Sequence, residues 1–476
     1  MNKSIKLFLG FPLLIAAMLF LNACSSDSDP EPDPNPEPEP EVPSNKTPFL
    51  KKIGGTGDDY ISASITDDKG NLYVTGAFNG TASFGKSDLT SLGGVDAYVA
   101  KYNTNGDLIW VVPIAGTQYS YGRALTFDKA GNVCVVGDFN GTVNVAGTNL
   151  TAFGQYNTFI VRVTLAGVLV SAIRDGIGTA NSGSSGLTWP RAVTFDSDGN
   201  MYMAGSFYYE AKFGNLSVIG DPDMDGQMFV VKYNPDGSAA WVQKSSAGAN
   251  ASGIAVSPSS ALVYVTGTLY GKSSFGATEL TSKGEGDVLL VGYQIENGAV
   301  NSAQNFGGTG GDGATDIAFD QYGQIFLVGY FTGQATFGKY TLDAGAYNDM
   351  FLFRVGNGGY YWTKQLKGYA MANDLMINNN GIYVTGWFSN KVTFGSTDVT
   401  SRGSLDAFAM KYSLGGTVQW YGTAGGTGND RGESVATDAL GNVFMSGDFQ
   451  STIHYGEKNV ASAGATDAMM VKYVMD

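Results

Sequence analysis

Histidine, cysteine and positive charge are scarce in this chain. His454 is the one histidine in 476 residues, so no cluster of His and Cys ligands at zinc spacing can form. A Ser-His or Cys-His nucleophile pair has only that imidazole to draw on, and no Gly-x-Ser-x-Gly elbow occurs. The two cysteines, Cys24 and Cys134, are too few for an internal disulfide framework. Cys134 shares a strand column with Tyr73, Tyr202 and Phe326 and reads as a small buried apolar residue. Against 43 acidic residues stand 28 Lys and Arg, a net charge of −15. That balance argues against nucleic acid, which calls for a basic stripe, and favours solubility. The one long apolar run, Leu7 to Leu21, is about 15 residues, short of the roughly 20 that span a bilayer as a helix. No segment follows a helical period.

What the chain has in quantity is glycine, 67 residues, with 43% hydrophobic and 12% aromatic residues to build a core. The glycine is ordered. Gly70-Asn71-Leu72-Tyr73-Val74-Thr75-Gly76 is the first of seven copies, whose closing glycines are Gly76, Gly137, Gly205, Gly267, Gly329, Gly386 and Gly447. They lie 61, 68, 62, 62, 57 and 61 residues apart. Repeats of this length that carry only strand signals fold by stacking sheets side by side.

Ahead of the repeats, Met1 to Ala23 has the lysines and apolar stretch of a secretory leader. It ends in Leu21-Asn22-Ala23-Cys24, which resembles a bacterial lipobox, with Cys24 as the lipidated mature N-terminus. An ordinary cleaved leader is the alternative. Residues 24–46 then form a tether. Proline alternates with Asp, Glu or Asn from Pro30 to Pro40, leaving no apolar surface to bury and a run that stays extended.

Residues 47–476 form the repeat domain. In the first unit, Ile61 to Asp67 predicts a strand. Asp67 to Asn71 predicts a hairpin turn with Gly70 left-handed. Asn71 to Phe78 predicts a second strand, and a loop with Phe84-Gly85 follows. Asp96 to Tyr102 and Leu108 to Ala115 predict two more. Four antiparallel strands per unit, repeated, predict an all-β fold: a seven-bladed β-propeller of four-stranded blades. The last unit ends after its third strand. The surplus segment Pro48 to Gly55 matches the fourth strands and is expected to complete the last blade.

The recurring Asp-x-x-Gly-Asn-aromatic/aliphatic-Val-x-Gly core followed by Phe-Gly resembles the bacterial seven-bladed β-propeller repeat (SBBP-type) family, over roughly residues 48 to 476. The resemblance implies an extracytoplasmic propeller and brings no family-wide catalytic residues.

Columns shared by most copies read as scaffold. The glycine column lets sheet faces approach closely. The Phe84 column packs between blades, and the Asp96 column caps the entry to the third strand. Gly80 to Ser87 fits the phosphate-loop pattern, but no helix can follow it. Residues that differ between copies are the functional candidates. The loop ends and first-strand starts offer Tyr60, Tyr119, Tyr121, Arg123, Trp189, Arg191, Asp316, Tyr369, Asp374, Arg431 and Glu433. Aromatic rings beside carboxylates and guanidinium groups suit sugars or a protein partner; a plain solvated rim is the alternative. Asp221, Asp223 and Asp225, in Asp-Pro-Asp-Met-Asp-Gly, are candidate calcium ligands, with a solvated acidic turn as the alternative. The expected protein is a monomeric, lipid-anchored propeller at a bacterial outer membrane or cell surface. It binds glycan or protein through its loop face and has no assured cofactor, calcium being a candidate only. A polysaccharide-acting enzyme using rim carboxylates, or a purely structural envelope protein, is the alternative.

Overall fold

A computed structural model describes residues 47–153, 155–176, 187–221, 226–356 and 359–475, and every regular element among them is a β-strand. The first repeat explains the others. Tyr60–Thr66 pairs with Leu72–Phe78, that strand with Asp96–Tyr102, and that one with Leu108–Gly116, all antiparallel. The turn between the first two strands accounts for the Asp-x-x-Gly-Asn motif. Gly70 has φ +76°, a conformation that glycine adopts without strain. The Asp67 carboxylate accepts the backbone N–H groups of Lys69 and Asn71 at 3.0 and 2.9 Å. Asp128, Asp196, Asp320 and Asp438 do the same in their own repeats.

The four-strand order recurs in Ser120–Phe127, Val133–Phe139, Asn157–Val163 and Leu169–Asp175. Leu187–Phe195, Met201–Tyr208, Gln227–Tyr233 and Ala239–Val256 follow. The last of these is long enough to serve twice. Its residues from Ala249 onward open the next set, with Leu262–Leu269, Asp287–Gln294 and Val300–Gly308. Gly313–Phe319, Ile325–Phe337, Tyr340–Gly356 and Gly359–Leu366 come next, then Ala370–Asn378, Gly381–Phe388, Asp406–Tyr412 and Val418–Gly426. The final set has only three strands from its own end of the chain, Arg431–Thr437, Val443–Phe449 and Asp467–Tyr473. Its fourth is the N-terminal Phe49–Gly55, with Phe49 opposite Lys472 and Ile53 opposite Ala468.

The segment carrying Phe84-Gly85, expected as a loop, is a hairpin. Thr81–Ser83 pairs with Asp88–Thr90 and also with the end of Phe49–Gly55. Thr142–Val145 docks in the same way on Leu108–Gly116, and Thr452–Tyr455 on Val418–Gly426. Each of these three hairpins thus latches onto the fourth strand of a neighbouring set. Phe84 anchors it, with its ring 4.8 Å from Tyr98 and 5.6 Å from Phe78. Strands of three or four residues are too short to show a period. The same hairpin disposes of the phosphate-loop match, because a strand and not a helix follows it.

The second strands are buried on both faces, and alternation sends successive residues to different cores. Val74 packs with Phe444 and Met470 of the final repeat, whereas Tyr73 packs with Leu125 and Val135 of the second. Each cluster therefore joins consecutive sets, the last with the first included. The Asp96 column caps strand entries as expected: Asp96 accepts the N–H of Leu92 at 2.6 Å and of Gly116 at 2.9 Å. Asp287, Asp406 and Asp467 repeat the contact four residues upstream.

Candidate functional site

Every first strand carries one extra residue opposite its repeat glycine. In the first, Ile61 faces Gly76 and Ala63 faces Thr75, so Ser62 is left unpaired. The same β-bulge displaces Arg123, Arg191, Ser252, Thr315, Asn373 and Glu433. A bulge bends the strand and re-aims one side chain. The glycine makes room for it: a β-carbon on Gly76 would collide with the carbonyl oxygen of Tyr60, and one on Gly137 with that of Tyr121. The close approach is thus between neighbouring strands of one sheet, not between separate sheet faces as the sequence suggested.

The seven bulge residues all line one cavity of about 1030 Å³. Tyr60, Tyr121, Tyr156, Trp189 and Tyr208 share its wall, with Asp138 and Asp448. The cavity is lopsided. On one side, Arg123 Nε donates to Asp138 Oδ1 at 2.5 Å and Nη2 to Oδ2 at 3.3 Å, and the guanidinium lies 4.6 Å over the Tyr121 ring. Arg191 has no hydrogen bond or ion pair within 4 Å among the described residues. Its surface is open, but into the cavity, and its surroundings hold its pKa below the usual arginine value. Desolvation is the main cause and repulsion by Arg123 adds to it, with Asp138 opposing. Trp189 packs edge-on against Tyr208 at 5.3 Å and tilted against Tyr156 at 5.9 Å.

The far side is acidic. Asn373 Nδ2 donates to Glu433 Oε2 at 3.2 Å. Burial pushes Glu433 up to about 7, with the Asp448 charge adding to it. Burial likewise pushes Asp448 up to about 6, against the lowering influence of Arg431.

Of the candidate residues, Tyr60, Tyr121, Arg123, Trp189, Arg191 and Glu433 line this cavity, and the other described candidates do not. Asp316 and Asp374 each lie one residue beyond a bulge, and so leave the lining column that Arg123 and Glu433 occupy. They staple neighbouring first strands instead. Asp316 accepts the Leu375 N–H at 3.1 Å; Asp374 accepts the Val435 N–H at 2.7 Å and the Ser434 hydroxyl at 2.9 Å. Burial, then the Asp374 charge, pushes the Asp316 carboxyl well above the usual range. Arg431 is engaged with Asp448 at 3.5 Å behind the lining. Tyr369 packs edge-on against Trp387 at 5.1 Å, and Tyr119 lies exposed beside Gly94. Cys24, Asp223 and Asp225 lie outside the described residues. The Asp221 N–H donates to Gln227 Oε1 at 2.6 Å. No group of three or more His, Cys, Asp or Glu suited to a metal occurs among the described residues.

Asp138, Asp448, Tyr156 and Tyr208 were not singled out as site residues. For two of them a signal existed: the position after each repeat glycine varies, and Ala77, Asp138, Ser206 and Asp448 from that column all line the cavity.

No family model matches the chain. It is 24% identical over 392 residues, 78% of its length, to the regulatory protein FlaEY of Caulobacter vibrioides, and spans about a third of that protein, 34%. Among solved structures, BamB from Moraxella catarrhalis is similar at a TM-score of 0.34 and 11% identity, over 87% of this chain and 83% of that one. The quinohaemoprotein alcohol dehydrogenase ADHIIG of Pseudomonas putida HK5 is similar at a TM-score of 0.40 and 10% identity, over 89% of this chain and 76% of that one.

Proposed function

We propose that residues 47–476 form a closed seven-bladed β-propeller that binds a ligand in its central channel. The observation that carries this reading is the convergence of the bulge residues of all seven first strands on one cavity. A scaffold role alone would favour the same small residue at each bulge. The chain places Ser, Arg, Thr, Asn and Glu there instead, and surrounds them with aromatic rings. A repeated glycine thus supports a variable residue, which separates framework from recognition. Closure is supported by the pairing of Phe49–Gly55 with Asp467–Tyr473 and by the core that joins the first and last repeats.

On this reading the protein is exported, lipidated at Cys24 and held by its acidic, proline-rich tether at a bacterial outer membrane or cell surface. It acts as a monomeric binding module for a glycan or a protein. The deciding experiment is a screen of the detergent-solubilised full chain against glycan and envelope-protein arrays, with Trp189→Ala as control. Binding that the substitution abolishes supports the cavity; binding that ignores it removes the cavity from the function. A second reading, an enzyme acting on polysaccharide, is favoured by one feature. Glu433 faces the cavity with a carboxyl able to stay protonated near neutral pH, as a general acid requires. Turnover of a bound glycan supports that reading, and binding without turnover removes it.

A further inference from the structure

The cavity's charges do not balance locally. Two guanidinium groups, Arg123 and Arg191, face one nearby carboxylate, Asp138, and Arg123 takes both of its oxygens. Among the described residues Arg191 is left without an ion-pair partner of its own, inside a cavity, in a protein whose net charge is −15. An arginine fork presents donors matched to a planar carboxylate, which it binds through two parallel hydrogen bonds. Around it stand apolar ring surfaces, Trp189 with Tyr156 and Tyr208, of the kind on which a sugar ring packs. Beyond them, Asn250 and Ser252 offer hydrogen bonds suited to hydroxyl groups. The opposite wall carries Glu433 and Asp448, carboxyl groups that hydrogen-bond hydroxyls.

Resting on the binding reading above, we propose that the Arg191 corner holds the carboxylate of an acidic saccharide whose ring lies against Trp189 and its aromatic neighbours. The ligand enters with its charged group toward Arg191 and its neutral hydroxyls toward Glu433. Arg123 stays committed to Asp138 and shapes the site without binding the anion itself.

The test is titration of the detergent-solubilised full chain with matched pairs of singly charged and neutral sugars: galacturonate and its methyl ester, sialyllactose and lactose. Sulfated lactose and inorganic phosphate serve as further arms. The acid of a pair is expected to bind about tenfold more tightly than its neutral partner. Arg191→Gln brings that ratio to about one while the melting temperature stays unchanged. Asp138→Asn, which frees Arg123, strengthens binding of the acid several-fold. Equal affinity for acid and neutral sugar, an unchanged ratio in Arg191→Gln, or tighter binding of sulfated lactose or phosphate overturns the carboxylate assignment. If neutral sugars bind and Trp189→Ala abolishes that binding, the cavity reading stands and only the charge inference falls. If no saccharide binds in a way that Trp189→Ala or Arg191→Gln alters, this proposal falls, and the cavity reading is left to the protein arm of its own screen.

Discussion

The carbonyl oxygen of Tyr60 occupies the space that a β-carbon on Gly76 would need. The contact repeats between Tyr121 and Gly137 and between Arg431 and Gly447. Because the obstacle is backbone, no side-chain rotation relieves it. Gly137→Ala is therefore expected to cost about 1–3 kcal/mol, as overpacked sites do. It also pushes the bulge at Arg123 outward. Two readouts check this: a lower denaturation midpoint, and loss of ligand affinity beyond what unfolding explains. An alanine variant with native stability and binding would show that the bulge does not depend on the glycine.

Phe49 lies opposite Lys472, and its ring is 6.1 Å from Phe444, so residues from the two ends of the repeat domain share one core. It is 5% exposed. Phe49→Ala is expected to destabilise the domain by about 3–5 kcal/mol, the range for truncating a buried ring. Limited proteolysis should then cut first within residues 47–55 and at the newly exposed edge of Asp467–Tyr473. Cleavage elsewhere first would mean that the N-terminal strand is not the closing element.

Strand order was legible because period-two alternation and the Asp-x-x-Gly-Asn turn are local signals. So was the pairing of Phe49–Gly55 with the last repeat, since counting strands per unit left one missing and one spare. The bulge was not. Arg123 and Asp316 sit at similar distances from their repeat starts, and only the register of pairing shows that one lines the cavity and the other lies one residue past it. The hairpin at Phe84 was missed for a related reason. Its strands are three residues long and gain their order from docking on another repeat. Features fixed by one segment, or by the count of strands per repeat, could be read from sequence; the residue-by-residue register between two strands could not.

Lipidation at Cys24 is tested by fractionation. Acyl chains contribute about 0.8 kcal/mol per buried CH₂, so several together hold a protein on the bilayer. Cys24→Ala is expected to move the protein from the membrane to the soluble fraction. Retention in the membrane would assign anchoring to something other than this cysteine.

The calcium site expected from the sequence at Asp221, Asp223 and Asp225 would have a thermodynamic signature. An ion bound only by the folded chain stabilises it by about 2.7 kcal/mol when present at a hundred times its dissociation constant. The melting temperature should rise with calcium, fall with chelator, and become insensitive to both in Asp223→Asn. An unchanged melting point at millimolar calcium removes the site.

Stability should fall as pH rises from about 4 to about 7. Asp59, Asp312 and Asp430 sit at equivalent loop positions in three repeats. Each bridges two backbone N–H groups, Asp430 those of Gly426 at 2.7 Å and Gln450 at 3.3 Å. Burial pushes them up to about 6, 6 and 7 respectively, and Glu433 up to about 7. In the unfolded chain such groups lose their protons near pH 4. Between that value and about 7 the folded chain holds protons that the unfolded chain has released. Deprotonation therefore favours unfolding across this window. Asp67 and Asp196 act in the opposite sense. Burial raises them, but hydrogen bonds from Asn71 and Asn200, among others, hold them below the usual carboxylate value. Their contribution is lost only in stronger acid, so the raised group governs the range from pH 5 to 8. Each tenfold change in acidity corresponds to about 1.4 kcal/mol. The melting temperature at pH 5 is therefore expected to exceed that at pH 8 by roughly 5 °C. Calorimetry across that range at constant ionic strength checks it. A melting temperature that is flat or rises toward pH 8 would mean that these carboxylates are already ionised in the folded protein.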